Sequence, residues 1–264
     1  MGAAAYEEPP ASRTAPMIPC VLPAGFTEQH SGKVTWWIKA GWETALPQAV
    51  TSAGTAADMH GGRGAVHRVV LREGGIGIAR RYYRGGFIRH FVRDLYWDRP
   101  PRPFVELICT EIVRQRGVPA VEVLGARVEW GPIGLYRGMF VTREAPGFLN
   151  LWEWLCTQPT GRARESVLAA VARVIAQLHA TGIEHADLNL TNILVRSEGD
   201  APAALLIDFD RARLFPGPLS YPQRERNLRR LRRSLAKLDP GGRLFSAADL
   251  DIFYRAYYQP LLAI

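Results

Sequence analysis

Apolar residues recur along this chain with two different periods. From Ala65 to Leu71 and from Ile76 to Tyr83 they alternate with polar ones, and Arg72-Glu73-Gly74-Gly75 interrupts them, which predicts two strands joined in a hairpin. Over Pro103 to Arg116 the spacing lengthens to a helical one. Phe104, Leu107, Ile108 and Ile112 share a face, and Gly117 with Pro119 supplies the stop. Val121 to Trp130 and Gly134 to Val141 then read as strands paired across a Gly-Pro turn, with Thr142 to Gly147 as a connector. Beyond it the pattern is helical: a short helix over Leu149 to Cys156, and a longer one over Glu165 to Thr181. The longer helix has a buried stripe of Val167, Leu168, Val171, Val174, Ile175 and Leu178, closed by Gly182. Arg224 to Leu238 carries a leucine stripe among arginines, and Ser246 to Asp249 opens a terminal helix with a capping-box pattern. Residues 1–30 are rich in Ala, Pro and small polar types and are expected to be poorly ordered and to add little to the core. Organisation is expected from near Trp36, with a weakly patterned linker over Thr51 to Met59.

Composition narrows the setting. A chain of 264 residues with 47% hydrophobic content can bury a substantial core, as one domain or two lobes. Its net charge is +8, and Lys33, Lys39 and Lys237 are its only lysines, so arginine carries the excess. Such a balance favours anionic partners: phosphorylated lipid, a membrane surface or nucleic acid. No helix-turn-helix, zinc or RNP-like signature accompanies the arginines, so no nucleic acid is expected. Cys20, Cys109 and Cys156 are odd in number and far apart, which suggests a reducing compartment rather than a disulfide framework. No apolar run has the length of a membrane span, and Met1 to Ala11 lacks the basic and apolar regions of a secretory signal.

The chemistry concentrates in His185-Ala186-Asp187-Leu188-Asn189-Leu190-Thr191-Asn192 and in Leu206-Ile207-Asp208-Phe209-Asp210. Phosphoryl transfer needs an aspartate to accept the proton of the attacking hydroxyl. It needs an amide oxygen shortly afterwards to hold Mg²⁺, and a carboxylate after an apolar strand to bridge that metal to the nucleotide phosphates. Asp187, Asn192 and Asp208 occur in that order, and a metal and base set this complete argues against a pseudokinase. His185 is assigned a structural role, bonded to nearby backbone. Upstream, Gly62-Arg63-Gly64 begins a G-x-G-x-x-G loop, but His67 stands where the last glycine belongs, so a plain hairpin turn explains the segment equally well. The strand after it offers Arg80 and Arg81 and no lysine to hold phosphates. Alternation from Ile76 and Ile78 favours Arg80, with Glu106 or Glu111 as its acidic partner.

Gly-Arg-Gly at 62–64, Arg-Tyr-Tyr-Arg-Gly-Gly at 81–86, His-Ala-Asp-Leu-Asn and Asn-Ile-Leu within 185–194, Ile-Asp-Phe-Asp-Arg at 207–211, and Asn-Leu-Arg-Arg-Leu-Arg-Arg-Ser-Leu at 227–235 together resemble the 3-deoxy-D-manno-octulosonic acid (Kdo) kinases of the lipopolysaccharide kinase group. The resemblance spans about Gly61 to Leu238. It implies a protein-kinase-like bilobal α+β fold, with a small β-rich N-lobe over 31–142 and a mainly helical C-lobe over 143–264. It also implies ATP-dependent phosphorylation of the Kdo 4-hydroxyl on a Kdo-lipid A precursor at the cytoplasmic face of the inner membrane. Carried over, Asp187 is the base or hydroxyl-orienting group, and Asn192 and Asp208 bind Mg²⁺. Gly62 and Gly64 cover the nucleotide, and Arg80 holds phosphate with Glu106 as its partner. Asp210 departs from the small glycine of protein kinases, and no Ala-Pro-Glu signature follows, so a fixed site for a small acceptor is expected. The Asp187, Asn192 and Asp208 core is shared with heptose and aminoglycoside-type kinases, and the missing strand lysine leaves a pseudokinase as the non-catalytic alternative. Two surfaces are candidates for anionic lipid: the Arg224–Leu238 helix, otherwise a solvated face, and Arg84, Arg89 and Arg93 interleaved with Phe87, Ile88, Phe91 and Val92.

Overall fold

The computed structural model describes residues 19–52, 66–72, 74–83, 94–197 and 202–259. Gly62 and Gly64, and the Arg84, Arg89 and Arg93 segment, lie outside the described residues. A six-stranded antiparallel sheet forms the first layer. Its strands are β1 (Phe26–Ser31), β2 (Val34–Lys39), β3 (Val66–Val70), β4 (Ile76–Arg81), β5 (Val123–Trp130) and β6 (Tyr136–Arg143), in the spatial order β1-β2-β5-β6-β4-β3. The expected hairpin is β3 with β4, in a register that sets Val66 opposite Arg80 and Val70 opposite Ile76.

The start of the chain corrects the expectation. Phe26 is buried, and Phe26–Ser31 pairs with Val34–Lys39, so the sheet begins inside the segment expected to add little. Only six residues long and polar over Thr27 to Ser31, β1 carries little apolar signal of its own, and its pairing with β2 supplies the order. Helix α1 (Ala45–Ser52) was likewise not foreseen; it buries Leu46 and runs into the stretch read as linker.

The sheet is covered on both faces, and strand alternation divides its side chains between them. On one face Trp36, Ile38, Val69, Ala79, Leu124, Met139 and Val141 pack with Trp42 and with Leu46 of α1. On the other, Trp37, Tyr82, Val123, Ala126, Val128, Tyr136 and Phe140 pack against Phe104, Leu107 and Ile108 of helix α2 (Arg102–Gln115). Trp37 stacks on Phe104 with ring centroids 4.2 Å apart. Helix α2 ends at Gly117, whose φ of +79° a residue with a side chain adopts only at a cost.

The second layer holds α3 (Leu151–Cys156), α4 (Gly161–Ala180), α5 (Tyr221–Leu238) and α6 (Ala247–Tyr258). Short strands β7 (Leu149–Asn150), β8 (Ile183–Glu184), β9 (Ile193–Arg196), β10 (Ala203–Leu206) and β11 (Arg213–Leu214) accompany them. Helix α4 is the core of this layer, buried from Val167 through His179 along the expected stripe. Asn150 caps α3 and Ser246 caps α6, each with a reciprocal capping box. Strands β9 and β10 pair between the two chemical motifs, with Leu206 opposite Ile193.

Candidate active site

The loop after β8 is built from hydrogen bonds that His185 organises. Its Nε2 faces the Ile207 carbonyl at 2.9 Å and its Nδ1 faces the Asp187 amide at 3.2 Å. A carbonyl only accepts and an amide N–H only donates, so the proton resides on Nε2. Burial lowers the affinity of this ring for a second proton, and the neutral tautomer joins the loop of Asp187 to the strand end before Asp208. Its structural assignment from sequence agrees with this geometry.

Asn189 caps the following turn: its Oδ1 accepts from the Thr191 and Asn192 amides at 2.9 and 3.1 Å. That turn delivers Asn192, whose Nδ2 donates to the Asp187 carbonyl at 2.9 Å. The Asn192 backbone carbonyl accepts from the Ile207 amide at 3.1 Å. With its nitrogen so engaged, the Asn192 amide keeps its oxygen as a hard donor. Asp208 has a φ of +69°, the left-handed region that Asp tolerates better than most side chains. Among the described residues no cluster of three or more His, Cys, Asp or Glu side chains is arranged to cage a metal. One amide oxygen and one carboxylate suit Mg²⁺, which is commonly held by one or two protein oxygens together with substrate phosphates and water.

Across from this loop, β4 and α2 contribute a charged pair. Arg80 Nη2 lies 2.6 Å from both Oε1 and Oε2 of Glu106, and 3.4 Å from Oδ1 of Asp208. Arg81 is exposed on the opposite side of the strand, as alternation required. Glu111 instead pairs with Arg114 at 3.6 Å on its own helix. Glu106 is 1% exposed, and burial, opposed by Arg80, pushes its carboxyl up to about 7. Burial works against the Arg80 charge more than any single neighbour favours it, but Glu106, Tyr82, Asp208 and Asp210 together outweigh burial and hold the guanidinium firmly protonated. Tyr82 donates its hydroxyl to Glu106 Oε2.

Three further features escaped the sequence reading. Arg102, at the start of α2, makes a two-pronged ion pair with Asp210, its Nε 3.0 Å from Oδ1. The segment after Asp208 is thereby tied to the first layer. Asn227 of α5 brackets the backbone of His185: its Nδ2 donates to the His185 carbonyl at 2.5 Å and its Oδ1 accepts from the His185 amide at 3.2 Å. The same Oδ1 accepts from His179 Nε2 at 3.0 Å, while His179 Nδ1 accepts from the Tyr257 hydroxyl at 2.6 Å. Burial lowers His179 to about 4, so this chain of bonds is made by a neutral ring. Glu184, 1% exposed, receives Arg226 at 2.7 Å and Arg230 at 3.0 Å from α5. A carboxylate following Ile183 in a buried strand, and one neutral amide among the arginines of a helix, were the available signals. Neither is interpretable until the helix is known to lie against the loop.

The profile of the Lipopolysaccharide kinase (Kdo/WaaP) family matches residues 50–257. A protein of Xylella fastidiosa (strain 9a5c) named 3-deoxy-D-manno-octulosonic acid kinase is 34% identical over 206 residues, covering 75% of this chain and 76% of its own. Proteins of the same name from Xanthomonas axonopodis pv. citri (strain 306) and Pasteurella multocida (strain Pm70) are 35% and 32% identical. They align over 191 and 161 residues, which cover 69% and 60% of this chain and 71% and 65% of theirs. Among solved structures, WaaP in complex with acyl carrier protein superposes with a TM-score of 0.54 at 17% identity, covering 80% of this chain and 81% of that one. At that identity the likeness is one of fold.

Proposed function

Because the chain belongs to the lipopolysaccharide kinase (Kdo/WaaP) family, we propose that it transfers the γ-phosphoryl group of ATP to the 4-hydroxyl of Kdo on a Kdo-lipid A precursor. The observation that carries this reading is the convergence of Asp187, Asn192 and Asp208 on one hydrogen-bonded loop pair, with Arg80 and Glu106 opposite. Asp187 accepts or orients the proton of the attacking hydroxyl. Asn192 and Asp208 hold Mg²⁺, which when bound neutralises charge on the phosphates. Arg80, aimed by Glu106, holds phosphate oxygens, and its fixed charge stabilises the negative charge on the transferred group. Gly62 and Gly64, outside the described residues, are assigned to nucleotide binding on the family resemblance alone.

The Arg102–Asp210 pair supports a fixed rather than mobile segment after Asp208, which suits a small sugar hydroxyl better than a protein acceptor. Among the described residues no helix is long and apolar enough to cross a membrane. In this reading the enzyme meets its lipid-bearing acceptor by peripheral contact at the cytoplasmic face of the inner membrane. Arg229 and Arg233, exposed on α5, attract the anionic surface.

Transfer of labelled phosphate from Mg-ATP to Kdo-lipid A tests the reading, with Asp187→Ala as the comparison. Removing a general base of this type is expected to slow transfer roughly 100-fold or more. Folded wild-type protein that binds ATP but leaves Kdo-lipid A unmodified would reject the acceptor.

A further inference from the structure

The ring of Tyr82 occupies a position to which neither the motifs nor the family likeness assigns a role. It follows β4 directly, and its amide donates to the Gly138 carbonyl of β6 at 3.0 Å, so the sheet register continues through it. Gly138 leaves the space it needs: a Cβ there would sit 3.3 Å from the Tyr82 ring and collide with Pro103. Tyr96 meets the ring edge-on at a centroid distance of 6.2 Å. Two guanidinium groups lie over it, Arg80 at 5.0 Å and Arg102 at 5.5 Å. Each belongs to an ion pair of the site, Arg80 with Glu106 and Arg102 with Asp210. The Tyr82 hydroxyl then donates to the Glu106 oxygen.

We infer that Tyr82 is a positioning residue, which fixes the rotation of the Arg80–Glu106 pair and couples it to the Arg102–Asp210 pair that anchors the metal-binding segment. The physical need for it follows from arginine standing where kinases use lysine. An ammonium presents its donors around a point, so one carboxylate suffices to place it. A guanidinium is a planar fork whose remaining donors reach phosphate only in the correct plane. Arg80 binds Glu106 through a single nitrogen, which leaves that plane free to turn. The Tyr82 hydroxyl pins the carboxylate and its face supports the guanidinium, so both rotations are restricted.

This inference rests on Arg80 as the phosphate-binding cation, and the test separates the two. Titration of the full-length protein with Mg-ATP, followed calorimetrically, compares wild type with Tyr82→Phe, which keeps the ring and removes the hydroxyl. Binding weaker by about 10-fold is expected, with the far-UV circular dichroism of the folded protein and KM for the acceptor unaltered. In a Glu106→Gln background, Tyr82→Phe should weaken binding by much less, since its effect passes through that carboxylate. Equal Mg-ATP affinity in wild type and Tyr82→Phe would overturn the role of Tyr82. Mg-ATP affinity that survives Arg80→Met would instead overturn the reading of Arg80. If Tyr82→Phe does not fold, wild type labelled with [¹³C]tyrosine decides: a buried tyrosine signal that moves on adding Mg-ATP is expected, and none moving overturns the inference.

Discussion

Glu106 is the residue on which the electrostatics of the site turn. Its carboxylate is buried beneath the sheet, where the charged form is stabilised by Arg80 and by the Tyr82 hydroxyl and opposed by burial. Its folded value near 7 lies above the ordinary carboxylate value of 4.5, so the folded state binds a proton more readily than the unfolded one. The contribution of this group to stability is therefore fully present at low pH and is lost as pH rises towards 7. Replacing Arg80 by Met removes the main force opposing burial and raises that value further. The stability gap between Arg80→Met and wild type is expected to widen above pH 7 by up to about 1.4 kcal/mol per pH unit. Urea unfolding at pH 6, 7 and 8 without nucleotide measures it, and a gap that does not change with pH would contradict the account. Alternation along β4 favoured Arg80 over Arg81 from the sequence, and the structure brings Arg80 to Glu106 and leaves Arg81 exposed. The residues alone left Glu106 or Glu111 as the partner and the family resemblance pointed to Glu106; the structure pairs Glu106 with Arg80 because that side of α2 meets the sheet.

At the level of elements, α5 is more than the basic surface its composition suggests. Leu228 is buried, and Asn227 beside it brackets the backbone of the loop that carries Asp187. Arg226 and Arg230, which the arginine-rich sequence groups with Arg229 and Arg233, spend their charge on buried Glu184. The helix thus has an inward side that braces the loop and an outward side that meets solvent. Asn227→Ala would leave the His185 amide, the His185 carbonyl and His179 Nε2 short of a partner. A loss of about 3 kcal/mol is expected, a fall in melting temperature on the order of 6–12 °C for a chain of this size. Differential scanning calorimetry checks it, and a fall under about 2 °C would mean that water replaces the amide without cost. The glycine that ends α4 is equally specific: Gly182 has a φ of +76°, and a Cβ there would run into the carbonyl oxygens of Gly217 and Phe215.

Across the whole molecule, arginine carries most of the net charge of +8, and the proposed contact with lipid would be electrostatic. If the exposed arginines of α5 draw the protein to an anionic surface, sedimentation with vesicles rich in anionic lipid should fall steeply between 0.05 and 0.5 M salt, roughly the range over which charge screening shortens from about 14 to 4 Å. Arg229→Glu with Arg233→Glu should reduce vesicle binding at low salt and leave Mg-ATP binding as it is. Undiminished vesicle binding by that double variant would move the contact to another face.

Local physics made much of this protein legible in its sequence. The β3–β4 hairpin, α2, the β5–β6 pair and α4 follow from apolar period and turn residues, because each buries a continuous face and ends at glycine or proline. The Asp187, Asn192 and Asp208 motifs stand out as short runs of sequence, and the structure joins their loops through His185. Tertiary structure alone decided the rest. Strand β1 exists because β2 accepts it, and α1 because one sheet face required a cover. Glu106, Tyr82, Arg102 and Asp210 meet, and Asn227 reaches His185, across separations of 24 to 108 residues along the chain. A buried ion pair or a bracketing amide has no signature in one dimension: its energy depends on exclusion of water by both layers together.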